Sequence, residues 1–241
     1  MNILEDLVTN LQDDAPVRKI IVGAHWTVVC SRNCGMAATL MDHRPHGSTA
    51  VRDAGRLQNK SARELVEYVF SDNLLEASIG VAALNSLLDV DEKQSVEMNA
   101  VEVLIEEGRD KQVALVGHFP FIPKLQAAVR QLWVIEQHPT DNEYPAEAAA
   151  NLLPQADVIA ITSSTLINHT LDKLLPLCRS DALVMMLGPS TPLSPILFQH
   201  GVSIISGSKI VDEDAVLRTV EQGANFRQVE GVRLLNIRKE L

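Results

Sequence analysis

Four stretches constrain this chain more than any others: Val113-Ala-Leu-Val-Gly-His-Phe-Pro-Phe121, Asp157-Val-Ile-Ala-Ile-Thr-Ser-Ser164, Ala182-Leu-Val-Met-Met-Leu-Gly-Pro189 and Val202-Ser-Ile-Ile-Ser-Gly207. Each is a continuous apolar run that ends in glycine or small hydroxylated residues. A strand buried on both faces reads as such a run, because neither face needs polar side chains. Helical segments are expected between them, over about 122–131, 145–153, 167–177, 193–199 and 212–222, with a further strand at 132–136. Strands alternating with helices imply a parallel sheet with right-handed crossovers. In such a sheet, ligands bind outside the carboxyl ends of the strands.

The first part of the chain has a different rhythm. Ile3, Leu4, Leu7, Val8 and Leu11 share the spacing of one helix face, and Ala15-Pro16 ends it. Residues 17–23, 27–30 and 35–41 read as short strands of an antiparallel meander, followed by a polar loop over 42–60. Ser61 and Glu64 form a capping box for a helix to about Phe70, and a second helix begins near Leu74. The charged stretch Asp89–Glu97 is read as a linker, and a helix over about Ala100–Glu107 follows it. The expected organisation is therefore an α+β domain over 1–92 and an α/β domain over 93–241, within 241 residues.

Charge and cysteine usage narrow the partners. A net charge of -10 without clustered Lys and Arg argues against nucleic acid. No apolar run approaches the roughly 20 residues that span a bilayer, and the acidic, amphipathic N-terminus is unlike a signal peptide. A cytoplasmic location is expected. Cys30, Cys34 and Cys178 form no disulfide framework, and Cys30-x3-Cys34 lacks the second pair that a closed zinc site needs, so they are read as ordinary buried or unpaired thiols and no metal ligand is assigned. Homodimers being the commonest soluble assembly, a homodimer is the default expectation.

The strand-end loops carry the candidate chemistry. After the first strand, Gly117 stands alone where a dinucleotide fingerprint needs three glycines, and Pro120 and Pro123 remove amide donors. NAD and FAD are therefore not expected, and no other cofactor is indicated. Gly117, Phe119 and Pro120 instead suggest a rigid wall, with His118 as a proton carrier at the strand end. A hydrogen-bonded loop histidine is the plainer alternative. Glu136 closes the next strand about 20 residues on, where a ribose-binding acid would stand; it is either a proton carrier for a polar or nucleoside-like ligand or an ordinary solvated acid. Thr162, Ser163, Ser164, Thr165 and Asn168 gather hydroxyls and an amide before a helix, which suits anions or carbonyl oxygens, although one of them would serve as a helix cap in any case. Gly188, Pro189, Ser190 and Thr191 repeat that chemistry in a loop stiffened by proline, or simply make a rigid turn.

Ala82-Ala-Leu-Asn85, Val116-Gly-His-Phe-Pro120, Ile161-Thr-Ser-Ser-Thr-Leu-Ile-Asn168 with Thr170, and Leu187-Gly-Pro-Ser-Thr-Pro-Leu193 occur together here. With these four motifs the chain resembles, over essentially its whole length, a family of uncharacterised prokaryotic proteins labelled for heavy-metal chelation. The resemblance implies an N-terminal domain like that preceding the barrel of enolases, a Rossmann-like domain, and a site in the cleft between them. It also implies that Asn85 brings the first domain to that cleft. Two functions follow as expectations. One is binding, with or without turnover, of a small polar metabolite, with His118 or Glu136 moving protons and Asn85 orienting the ligand. The other is non-catalytic capture of a metal or metal chelate, for which direct ligands would come from His25, Cys30, Cys34, His43, His46 or His118.

Overall fold

The computed structural model describes residues 2–42 and 50–239. His43, His46 and the stretch 45–48 lie outside the described residues. The chain runs α1 (Ile3–Thr9), β1 (Lys19–Val22), β2 (Trp26–Cys30), β3 (Cys34–Ala38), α2 (Ala62–Val66), α3 (Leu74–Leu87), β4 (Ser95–Glu97), α4 (Ala100–Gly108), β5 (Gln112–Val116) and α5 (Ile122–Gln126). It continues through β6 (Gln131–Glu136), β7 (Tyr144–Pro145), α6 (Ala149–Leu152), β8 (Val158–Thr162), α7 (Ser164–Ile167), α8 (Leu171–Leu174), β9 (Leu183–Leu187), α9 (Ile196–Gln199), β10 (Ile204–Ile210), α10 (Glu213–Glu221) and β11 (Val232–Arg238).

Strands β1, β2 and β3 form the expected antiparallel meander. The α2 capping box is present: Ser61 Oγ accepts the Glu64 N–H, and Glu64 accepts the Ser61 N–H at 2.7 Å. Helix α3 lies against this sheet and is buried nearly all round, from Ala77 to Leu87. Its run of Ala, Ser and Gly lets the neighbouring backbone come close on several sides.

The remaining strands make one eight-stranded sheet in the order β4-β11-β10-β9-β8-β5-β6-β7. From β10 through to β7 neighbouring strands pair in parallel, while β11 pairs antiparallel with both β10 and β4. Period-two alternation divides each central strand between two cores. Ala114, Ile135, Ile159, Ile161, Met186 and Ile205 share one with α1 and α3, whereas Val113, Leu115, Val134, Ala160, Met185 and Ile204 share another with α4. Both faces are therefore covered, which explains the unbroken apolar runs; each such buried Leu or Ile contributes roughly 1.5–3 kcal/mol.

Several local expectations need correction. The parallel sheet is mixed, because β11, a strand the apolar pattern did not mark, pairs antiparallel with β10, and Asp89–Glu97 is not a free linker, since it contains β4, which pairs with β11. The crossover helices are also shorter than their sequence patterns. The helix expected over 167–177 starts earlier and is interrupted, as α7 and α8 are separated at His169, whose φ is 57°, and Asn168 Oδ1 accepts both the N–H and the O–H of Thr170 across that break.

The strand order fixes where a ligand can sit. Strand β5 lies between β6 and β8, so the chain leaves β5 in one direction along the sheet and later fills its other side. The loops after β5 and β8 thus diverge at a topological switch point, the usual crevice of an open α/β sheet.

Candidate functional site

Two glycines hold the strand ends together. Gly117 has φ 110° and Gly188 has φ 121°, both in the region that side chains disfavour. A Cβ on Gly117 would lie 2.9 Å from Thr162 Cβ, and one on Gly188 would lie 2.7 Å from Ser163 Oγ. The loops after β5, β8 and β9 consequently pack edge to edge, and two cavities open around them.

The first cavity measures 510 Å³ and the second 460 Å³, both within the range of small-molecule sites. Gly117, His118, Glu136, Thr162, Ser164, Thr165 and Asn168 line the first; His118, Phe119, Pro120, Thr162, Ser163, Ser164, Gly188, Pro189 and Ser190 line the second. His118, Thr162 and Ser164 belong to both, so the two spaces meet at the imidazole. Phe119 and Phe121 stack with ring centroids 5.0 Å apart in the wall after β5.

Asn85 and Thr191 line neither cavity. The Asn85 amide donates to Met36 O at 3.0 Å and to Ser190 O at 3.1 Å, which ties β3 to the loop after β9. Asn85 Oδ1 and Thr191 Oγ1 are buried beside this junction without a hydrogen-bond partner. Part of the hydroxyl-rich loop is also occupied with its own turn: Thr165 Oγ1 donates to Thr162 O at 2.6 Å, and Thr162 Oγ1 accepts the Ser164 N–H at 3.4 Å. Since α7 is a single turn, any ligand there would rely on side chains rather than on a helix dipole.

The sequence reading missed Glu143. Its Oε1 lies 2.5 Å from His118 Nδ1, and its Oε2 accepts the Thr140 N–H at 2.8 Å. The Thr140 amide, and after it His118, holds the Glu143 carboxyl below its ordinary range. An ionised Glu143 keeps the proton of a neutral imidazole on Nδ1 and leaves Nε2 as the free acceptor. The Glu143 side chain is largely covered although the residue as a whole is only half-buried, while His118 is largely exposed. Nothing in the stretch Thr140–Glu143 marks this pairing beforehand, since it depends on a turn with Asn142 at φ 78°. Lys173 in the first cavity and Trp26, Phe226 and Arg227 in the second were also not singled out, because they come from elements distant in sequence.

The thiols require a correction too. Cys30 and Cys34 are joined by a disulfide across the β2–β3 turn. Cys178 is free, and burial pushes its thiol up to about 11. Among the described residues, one group offers three metal-type ligands within mutual reach: Cys30, Cys34 and Glu213, whose ligand atoms lie within 4.8 Å of one another. The two cavities hold no such group among the described residues. No helix among the described residues is long and apolar enough to cross a membrane.

Residues 99–239 match the DUF364 family and residues 4–88 match the DUF4213 family, each described as "Putative heavy-metal chelation". An uncharacterized protein of Methanocaldococcus jannaschii is 29% identical over 193 residues, which are 76% of this chain and 72% of that protein. A DUF364 protein of unknown function from Desulfitobacterium hafniense has a crystal structure that superposes with a TM-score of 0.85 at 27% identity, covering 98% of both chains. A second, from Pyrococcus horikoshii, superposes with a TM-score of 0.83 at 21% identity over 98% of both chains, a likeness of fold alone.

Proposed function

The chain belongs to the DUF364 family, and we propose that it binds a small polar molecule in the paired cavities and moves a proton to or from it through His118. In this reading residues 93–241 form a Rossmann-like domain, residues 1–92 an enolase N-terminal-like domain, and the ligand sits where the two meet. The observation that carries the reading is the imidazole at the junction of both cavities, backed by Glu143, whose carboxyl is held below its ordinary range. A base oriented by a carboxylate and facing a cavity is a recurrent arrangement for general acid–base work. Hydroxyls from Thr162 and Ser164, the Asn168 amide and the Lys173 ammonium supply polar contacts, Glu136 adds an acid to the lining of the first cavity, and the stacked phenylalanines give the second an apolar wall.

The test begins by denaturing purified protein and identifying released small molecules by mass spectrometry. The compound found is then titrated into wild type, Asn168→Ala and His118→Ala. Weakened binding in both variants is expected. Binding unaffected by either change would remove the cavities from the site.

A second reading is favoured by the family description: the bound molecule is a metal chelate. Because the cavities lack a three-ligand group among the described residues, the ion would arrive already complexed and be held through its chelator. Elemental analysis of tag-free protein with its disulfide kept oxidised, alongside the mass spectrometry, separates the two readings, since only a chelate then brings metal with the organic molecule.

A further inference from the structure

We propose that Cys30, Cys34 and Glu213 form a thiol-gated site for a soft divalent cation of the zinc and cadmium class, closed while the disulfide is formed and open when it is reduced. Cys30 ends β2 and Cys34 begins β3, directly opposite one another with Cα atoms 4.0 Å apart. Glu213, in the first turn of α10, brings a carboxylate oxygen to the same point from a distant part of the chain. Two thiolates with one carboxylate select soft or borderline metals. Three protein ligands leave a coordination position open, as in exchangeable rather than closed zinc sites.

The surroundings argue that the bond is there to be opened. Cys30 and Cys34 enclose a turn of three residues that the β2–β3 ladder already closes, so the crosslink removes little additional freedom from the unfolded chain. The turn is also pinned without it. Ser31 Oγ lies 2.6 Å from Ser86 Oγ, the Asn33 N–H donates to Ser86 O at 3.0 Å, and the Asn33 amide donates to Leu88 O at 3.1 Å. Reduction would leave two thiols held in place.

Charge makes the gate selective. In the oxidised form the Glu213 carboxylate is matched by Arg18, whose Nη1 bonds both of its oxygens at 2.7 and 2.8 Å. Arg18 Nη2 also lies 4.0 Å from Cys34 Sγ, a position that favours the thiolate. Reduction by a cellular thiol of the glutathione class adds two electrons and two protons to the disulfide, while the reductant becomes its own disulfide. A divalent cation then displaces both protons to solvent, and its charge balances the two thiolates. Cys34 and Glu213 are part-exposed and give the ion a way in, whereas Cys30 lies beneath them.

The full chain, reduced with a phosphine and handled without oxygen, is titrated with cadmium alone and followed by its thiolate charge-transfer absorption. One equivalent per chain is expected in the reduced protein and none in the oxidised protein. Cys34→Ser should abolish the band. Glu213→Gln, a surface change that tests the site should the cysteine variant misfold, should weaken binding by at least the roughly tenfold typical of losing a lesser partner. Cys178→Ser and Asn168→Ala should leave binding unchanged, the latter because the site does not depend on the cavities. A disulfide that the phosphine fails to open, a band in the oxidised protein, no band after reduction, or a titration indifferent to Glu213→Gln would each overturn the proposal.

Discussion

Ser190 Oγ accepts the Ala38 N–H at 2.8 Å, so the last residue of β3 hangs from the loop that follows β9. Strand β3 is an edge strand, with backbone groups that would otherwise seek another strand. Two residues earlier, the Met36 carbonyl faces the same way and takes the Asn85 amide, which also holds Ser190 O. The edge of the three-stranded sheet is thus completed by the side chains of Ser190 and Asn85.

Asn85→Ala strips the hydrogen-bond donor from two carbonyls at once. Leaving buried acceptors unpaired costs about 1–3 kcal/mol. A loss of unfolding free energy of that size, read as a lower urea midpoint at unchanged denaturant slope, is expected. A loss of ligand affinity should accompany it, because Ser190 lines the second cavity.

Gly188→Ala tests the packing of the strand ends. Alanine must take a φ of 121° and place its Cβ 2.7 Å from Ser163 Oγ. Strain of this kind costs about 1–3 kcal/mol, and the Ser163 loop must also shift. Thermal denaturation should show the loss, and ligand binding in the second cavity should fall by more than stability alone explains.

Glu76 predicts an acid-sensitive contribution to stability. Burial alone would raise its pKa, but hydrogen bonds from Ser71 Oγ at 2.7 Å and from the Arg52 N–H at 2.7 Å, with the charge of Arg52, outweigh it and hold the carboxyl below its ordinary value of 4.5. A carboxyl lowered on folding stabilises the protein above its unfolded pKa and loses that contribution as pH falls through the folded value. Glu76→Gln should therefore cost up to about 1.5–3 kcal/mol near neutrality, the scale of hydrogen bonds to a charged group. The gap from wild type should narrow as pH falls below 4.5. A gap independent of pH would show that the charge of Glu76 contributes nothing.

What was legible in the residues, and what was not, follows from the range of the interactions involved. Val113–Val116 and Val158–Thr162 announced buried parallel strands because burial on both faces is written into consecutive residues. Ser61 and Glu64 announced a helix start because capping is local. Strand β11 was not marked: Val232-Arg-Leu-Leu-Asn-Ile-Arg238 alternates poorly, and its place is set by pairing with β10 and β4. Glu143 was equally silent, since only the turn at Asn142 carries it to His118. The cysteines misled for the same reason, because their spacing resembles an incomplete metal motif until the hairpin register sets them opposite each other.

The His118–Glu143 pair can be tested without knowing the ligand. Glu143 is held below its ordinary value of 4.5 first by the Thr140 amide and then by His118. In His118→Ala the second of these is lost and the first remains. A carboxyl-carbon NMR titration should then show the Glu143 pKa moving up toward 4.5 without reaching it. His118→Asn, which can keep a donor near Glu143 but cannot carry a proton at neutral pH, should shift it less. If the identified ligand is turned over, both variants should lose that turnover alike, since each lacks the free imidazole nitrogen. Glu143→Gln keeps the imidazole but removes the charge that fixes its proton on Nδ1, so it should lose less activity than His118→Ala. The reverse order, with Glu143→Gln the more damaging change, would mean that the carboxylate rather than the imidazole meets the ligand.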